Sequence, residues 1–167
     1  MTGTFVHERT FESRWKLLEA ARERLSRANS LDEVMAIVRS TARGVASADG
    51  VCFVLRDGDA CHYAEEDAIA PLWKGQRFPM SACISGWAML NAKTAVIEDI
   101  FADPRIPHEA YRPTFVKSLI MAPVGAQSPA AAIGAYWAVR RAFSAREVEL
   151  VESLAAAIAR PMQKAAA

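Results

Sequence analysis

Few residues in this 167-residue chain combine a reactive type with a suggestive setting. Cys83 stands just ahead of Ser85 to Asn91, a run that reads as a short helix. Amides at a helix start lower a thiol's pKa and favour a redox-sensitive thiolate, whereas a thiol turned inward is a small apolar filler lining a cavity. Asp99, Asp103 and Arg105 share a Pro-rich stretch: either Arg105 recognises a ligand, or the aspartates cap loop amides while Arg105 pins the loop. His108 and Tyr111 follow on the same stretch and face either a cavity or solvent. Tyr136 and Trp137 are strand neighbours and must point to opposite faces. With Trp87, on the short helix, they are aromatic walls either of the core or of a stacking site.

Other chemistries lack their residues. His62 and Cys61 are adjacent on a strand and point apart, and no CxxC, HxxxH or HExxH spacing occurs, so no metal is expected. There is no GxSxG elbow, Walker loop or GxGxxG. With no ordered nucleophile, the chain is expected to catalyse nothing. A net charge of +1 gives no reason to expect nucleic acid or an anionic membrane as partner. Charges, Gly or Pro interrupt every apolar run, and MTGTFVHERTFESR has no apolar signal-peptide centre. Three cysteines without CxxC spacing read as reduced thiols in a cytoplasmic protein. Cys52 and Cys61, on strands, are expected in the core, a diagonal disulfide between them being the alternative.

The elements that must position these residues follow from periodicity and caps. Phe11 to Arg27 reads as an amphipathic helix with Trp15, Leu18 and Leu25 on its stripe. Ser30 with Glu33, and Ser144 with Glu147, are capping boxes that open two further helices. Val51 to Arg56 is a strand, Asp57-Gly58 signals a hairpin, and Ala60 to Glu65 returns. A two-residue loop would put Cys52, Val54, Cys61 and Tyr63 on one face and Phe53, Leu55 and His62 on the other; a longer loop would shift that register. Gln76 to Pro79, Thr94 to Ile97, Ser118 to Val124 and Ala131 to Val139 read as further strands. Three prolines forbid one continuous helix over Asp99 to Phe115.

VCFVL, LIMAPV and AIGAYWA are apolar at odd and even positions alike, so both sheet faces are covered. The first, second and last helices are expected on one face, and the segment Gly75 to Lys117 on the other. A short helix and a Pro-rich loop would fit loosely and leave a cavity for a ligand.

These residues resemble the GAF family from about Ser30 to Ile158. The most specific block is SGWAMLNAKTAVIEDIFADPRIP followed by KSLIMAPV, similar to GAF modules of bacterial sensor histidine kinases of two-component systems and of related signalling proteins. The resemblance implies an α+β fold: a central antiparallel sheet of five or six strands, helices on one face and a loop-covered pocket on the other. It implies a domain at 30–160 between an N-terminal helical segment, 1–29, and a tail, 161–167. RIPHEAYRPTFVK contains no Cys, so no covalent bilin is expected, and the cofactor is left unknown. Free methionine-sulfoxide reductases of the family use a Cys just before a Gly in the short-helix region; here Ser85 precedes Gly86, and Cys83 is offset by two.

The expected function is a small-molecule sensor that couples pocket occupancy to its flanking helices. Cys83, Trp87, Asp99, Arg105, His108, Tyr111 and Tyr136 are the candidate ligand-binding residues. The expected partners are an unidentified small molecule, a second copy through the terminal helices, and a kinase output domain on a longer chain or a separate protein. The alternatives are a dimerisation module with a degenerate pocket, and a thiol-based redox sensor or reductase-like enzyme centred on Cys83.

Overall fold

The computed structural model describes residues 10–166. Two helices, α1 (Phe11–Ser26) and α2 (Leu31–Ala46), lead into the hairpin β1 (Gly50–Asp57) and β2 (Ala60–Ala68). Then come β3 (Arg77–Pro79), a 3₁₀ turn at Met80–Ala82, α3 (Ile84–Asn91), β4 (Ala95–Ile97) and a second 3₁₀ turn at Ile100–Ala102. The chain closes with α4 (His108–Tyr111), β5 (Ser118–Val124), β6 (Ala131–Trp137) and α5 (Ala145–Ala166). The six strands form one antiparallel sheet in the order β3-β2-β1-β6-β5-β4.

Both capping boxes form, with one change. Ser144 and Glu147 exchange side-chain bonds with each other's amides at 2.9 and 3.2 Å. Ser30 caps the Glu33 amide at 3.1 Å, but the Glu33 carboxylate reaches one residue further back, to the Asn29 amide at 2.7 Å. The expected tail is not separate from the last helix, because α5 continues through Pro161 to Ala166. Residues 1–9 of the expected N-terminal segment, and Ala167, lie outside the described residues.

The sheet is buried on both sides, as its unbroken apolar strands require. Val51, Phe53, Ile120, Ala122, Ile133, Ala135 and Trp137 pack beneath α1, α2 and α5. Cys52, Val54, Cys61, Tyr63, Leu119, Met121, Ala132 and Tyr136 face the other way, under α3 and the segment around α4. The hairpin loop has two residues, since Asp57 pairs with Ala60, and the faces fall as that register demands. Tyr136 and Trp137 do point apart.

One bulge aims the second strand. Phe53 pairs with Glu65 and Val54 with Tyr63, so Ala64 is the extra residue. Beyond it Glu65 faces the helices, where it meets Arg39 at 3.2 Å and Lys74 at 2.7 Å. Glu66, paired with Cys52, is thereby turned to the lid side. β2 also runs three residues past the expected end at Glu65, carrying the chain to the loop that fills the site.

Candidate functional site

Glu66 organises that loop. Its two carboxylate oxygens accept the amides of Leu72, Trp73 and Lys74 at 2.9, 2.9 and 2.8 Å. Three donors on one carboxylate fix the turn. The Trp73 side chain then enters the space between sheet and lid, and its indole Nε1–H donates to the Ala110 carbonyl at 3.1 Å. Its ring meets Tyr111, Tyr136 and Tyr63 at centroid distances of 4.6, 5.5 and 5.6 Å. Phe78 closes on Tyr63 edge-on at 5.4 Å. The space left among Tyr63, Trp73, Phe78, Cys83 and Tyr111 is about 10 Å³, room for about one water.

The expected loose lid is therefore corrected. The lid fits closely because residues 69–74, outside the expected covering segment, supply an aromatic plug.

Two polar atoms in this chamber are unsatisfied. The Tyr111 and Tyr136 hydroxyls are buried without a hydrogen-bond partner. The buried Cys52 thiol lies beside the Tyr136 hydroxyl. Gly134 makes room for this hydroxyl: a Cβ at that position would lie 2.6 Å from it. Burial pushes the phenols of Tyr63, Tyr111 and Tyr136 well up, so all three remain neutral donors. Only Tyr63 of the three is satisfied, through Ser85 Oγ at 3.0 Å.

Sulfur gathers at the opposite wall. Cys83 is the N-cap residue of α3. Ser85 Oγ donates to its Sγ at 3.3 Å, and that Sγ lies 3.4 Å from the Pro79 carbonyl. Cys61 Sγ sits 3.2 Å from Met80 Sδ and interacts directly with Cys83. The Cys61 thiol draws the Cys83 thiol down to about 6, against burial, with the Ser85 hydroxyl and the Gly86 amide adding to the effect. Cys61 is pushed upward in return, first by Cys83 and then by burial. All three cysteines are free. Cys52 pairs with Glu66 and Cys61 with Arg56, so the sheet register holds the pair once considered for a diagonal disulfide apart.

Of the seven expected ligand residues, Cys83, Tyr111 and Tyr136 share the chamber. The other four build the outside of the lid. Arg105 is bound through Nε and Nη2 to the Asp103 carboxylate at 3.0 and 2.7 Å, and its guanidinium covers the Trp87 ring at 4.4 Å. Arg105 in turn holds the Asp103 carboxyl below its usual range. Asp99 caps the Phe101 amide at 3.1 Å and pairs with Arg140 at 3.6 Å. His108 Nε2 lies 3.1 Å from the Asp103 carbonyl, and its ring packs on Phe101. The capping and pinning reading of this stretch thus describes it.

Sequence reading missed Trp73, Phe78, Met80 and Ser85 as chamber residues. The apolar Trp within APLWKGQ, between two strands, was the available signal. A roomier cleft lies elsewhere, about 820 Å³ at the ends of α1 and α5, lined by Arg22, Ser26, Ala157, Arg160 and Lys164 among others. None of the thiols or orphaned hydroxyls lines it, and the closed chamber is where these groups converge. Among the described residues no group of His, Cys, Asp and Glu could hold a metal ion, and no helix is long and apolar enough to cross a membrane.

A family model for the GAF domain matches residues 28–163. The GAF domain of a phosphoenolpyruvate-protein phosphotransferase from Coxiella burnetii superposes with a TM-score of 0.79 at 14% identity, over 93% of this chain and 95% of that one. Free methionine-R-sulfoxide reductase from Neisseria meningitidis, solved with its substrate, superposes with a TM-score of 0.80 at 16% identity, over 99% and 98%. The reduced Staphylococcus aureus enzyme gives 0.72 at 14%, over 89% and 94%. At such identities the likeness is one of fold. No curated protein matches the chain in sequence. The reductases correct the expectation that catalysis is excluded, because enzymes use this fold. That expectation rested on the lack of a linear motif, which cannot register thiols brought together by a strand and a helix start.

Proposed function

Because the chain belongs to the GAF domain family, we propose that it is a sensory domain whose ligand is a small, neutral, flat aromatic molecule received between sheet and lid. The two buried, unpartnered tyrosine hydroxyls carry this reading. A buried polar group without a partner costs about 1–3 kcal/mol, which a ligand offering acceptors would recover. The surrounding rings supply stacking surface, and among the described residues no Asp, Glu, Lys, Arg or His lines the residual cavity. Anionic ligands are disfavoured, since Arg105 is committed to Asp103 and Trp87 on the outer side.

Entry of such a molecule requires Trp73 to swing out. Trp73 is tied to α4 through Ala110 and to β2 through Glu66, so its displacement moves the lid and the hairpin together. The hairpin's other face packs on α2, which contacts α1 and α5. Occupancy would reach the terminal helices by that route, and from them a second copy of the chain and a kinase or other output module.

Thermal unfolding with a panel of neutral heteroaromatic metabolites tests the reading. A ligand at about 100 times its Kd should add about 2.7 kcal/mol, a shift of several degrees. The shift should shrink in Tyr111→Phe and Tyr136→Phe. A panel that moves neither the wild type nor Trp73→Ala, in which the plug is removed, would sink the proposal. Sedimentation of the same samples at micromolar concentration reads the pairing of copies, and a strict monomer with and without ligand would remove that part.

A further inference from the structure

We propose that Cys61 and Cys83 form a dithiol that a hydroperoxide converts to an intramolecular disulfide, making the chamber wall an oxidant-reactive site. The inference needs no ligand and stands apart from the sensory reading. Its basis is the placement of two thiols from different elements against one short turn: Cys61 of β2 pairs with Phe78 and its Sγ lies 3.2 Å from Met80 Sδ, while Cys83, at the start of α3, has its Sγ 3.4 Å from the Pro79 carbonyl oxygen and a directed hydrogen-bond chain behind it. Tyr63 donates to Ser85, and Ser85 donates to Cys83 Sγ. With the Gly86 amide, that chain concentrates donors on one sulfur. Cys83 also lines the small cavity, whereas Cys61 is fully buried. A small oxidant entering the cavity therefore meets Cys83 first.

The steps balance. The Cys83 thiolate attacks the terminal oxygen of the hydroperoxide and the O–O bond breaks. Cys83 becomes a sulfenic acid, and the leaving hydroxide or alkoxide takes up a proton as water or alcohol. Cys61 then attacks the sulfenic sulfur. The S–S bond forms and the S–O bond breaks, and the hydroxyl leaves as water with the Cys61 proton. Two thiols are oxidised by two electrons and one peroxide is reduced by two. Cys61 is the resolving residue, since it is the thiol that interacts directly with Cys83. Cys52 is the internal control: it faces the same side of the sheet, but burial and then the neighbouring Glu66 carboxylate hold its thiol up.

The test uses the full chain and hydrogen peroxide, with and without a 1,3-dione that traps sulfenic acid, followed by alkylation and non-reducing peptide mass mapping. The expected product is a cross-linked peptide carrying Cys61 and Cys83 with the loss of two hydrogens, reversed by dithiothreitol, while Cys52 stays a thiol. In Cys61→Ser the dione adduct should collect on Cys83. The rate of Cys83 oxidation should rise through a midpoint near pH 6 and then level off, because the thiolate is the nucleophile. Survival of both thiols overturns the proposal, as does Cys83 oxidised beyond the sulfenic state without a link to Cys61, or Cys52 reacting as fast as Cys83. Should Cys61→Ser fail to fold, the wild-type cross-link decides alone.

Discussion

Gly86→Ala should lower the unfolding free energy by about 3 kcal/mol or more, although the same change in an ordinary helix raises stability by up to about 1 kcal/mol. The reversal of sign follows from how α3 sits. A Cβ at position 86 would lie 1.8 Å from the Met80 carbonyl oxygen and 2.6 Å from its carbon. Both are backbone atoms, so no rotamer change relieves the clash. The helix must lift from the 3₁₀ turn, and with it Ile84, Ala88 and Met89, all buried against the sheet. Cys83 would leave Cys61 at the same time. Urea unfolding read by Trp fluorescence checks the expectation, and a variant as stable as the wild type would show that α3 tolerates the added methyl.

Arg14→Ala is the second large effect, expected at about 3–5 kcal/mol. Arg14 is 2% exposed, and its guanidinium spans the end of a neighbouring helix. Nε and Nη2 donate to the Val45 and Ala46 carbonyls, each at 2.9 Å, and Nη1 lies 4.0 Å from Glu147. These carbonyls belong to the last turn of α2, where cations are favoured by the helix dipole. One side chain thus joins α1, α2 and the start of α5. Removing it strips two buried carbonyls of donors and leaves Arg141 as the one remaining cation paired with Glu147 among the described residues. Arg14→Lys should restore little, because a single ammonium cannot reproduce the planar fork. Denaturant titration of both variants is the measurement, and a loss below about 1 kcal/mol in Arg14→Ala would mean that water replaces the fork without penalty.

Arg14 also shows where sequence reading runs out. In a helix whose other charges are exposed, an arginine reads as solvated face, and nothing local says that it ends another helix. The strands were legible because burial on two sides leaves an unbroken apolar run, and because a two-residue loop fixes which side chains share a face. The bulge at Ala64 was not, since an extra residue in one strand has no compositional mark, yet it decides that Glu66 instead of Glu65 accepts the amides of the plug loop. Arg105 and the two aspartates allow a ligand site as well as the loop clamp that Asx capping in Pro-rich loops favours, and the pairing of Arg105 with Asp103 and Trp87 decides for the clamp. Cys83 was visible as a thiol ahead of a helix. Its partner was not, because Cys61 and Cys83 meet only once β2 and α3 have packed.

The strand order has a consequence for how the chain matures. Its two hairpins, β1 with β2 and β5 with β6, are local, but the seam joining them pairs β1 with β6. The Asp49 carboxylate that accepts the Ala138 amide reaches across 89 positions to anchor that seam. On the ribosome, VCFVL therefore waits as a bare apolar edge until nearly all of the domain has emerged. An unpaired edge of this kind invites pairing with another nascent chain. Seam closure is thus the slow, non-local event in refolding, and the interval before it is when the polypeptide depends most on chaperones.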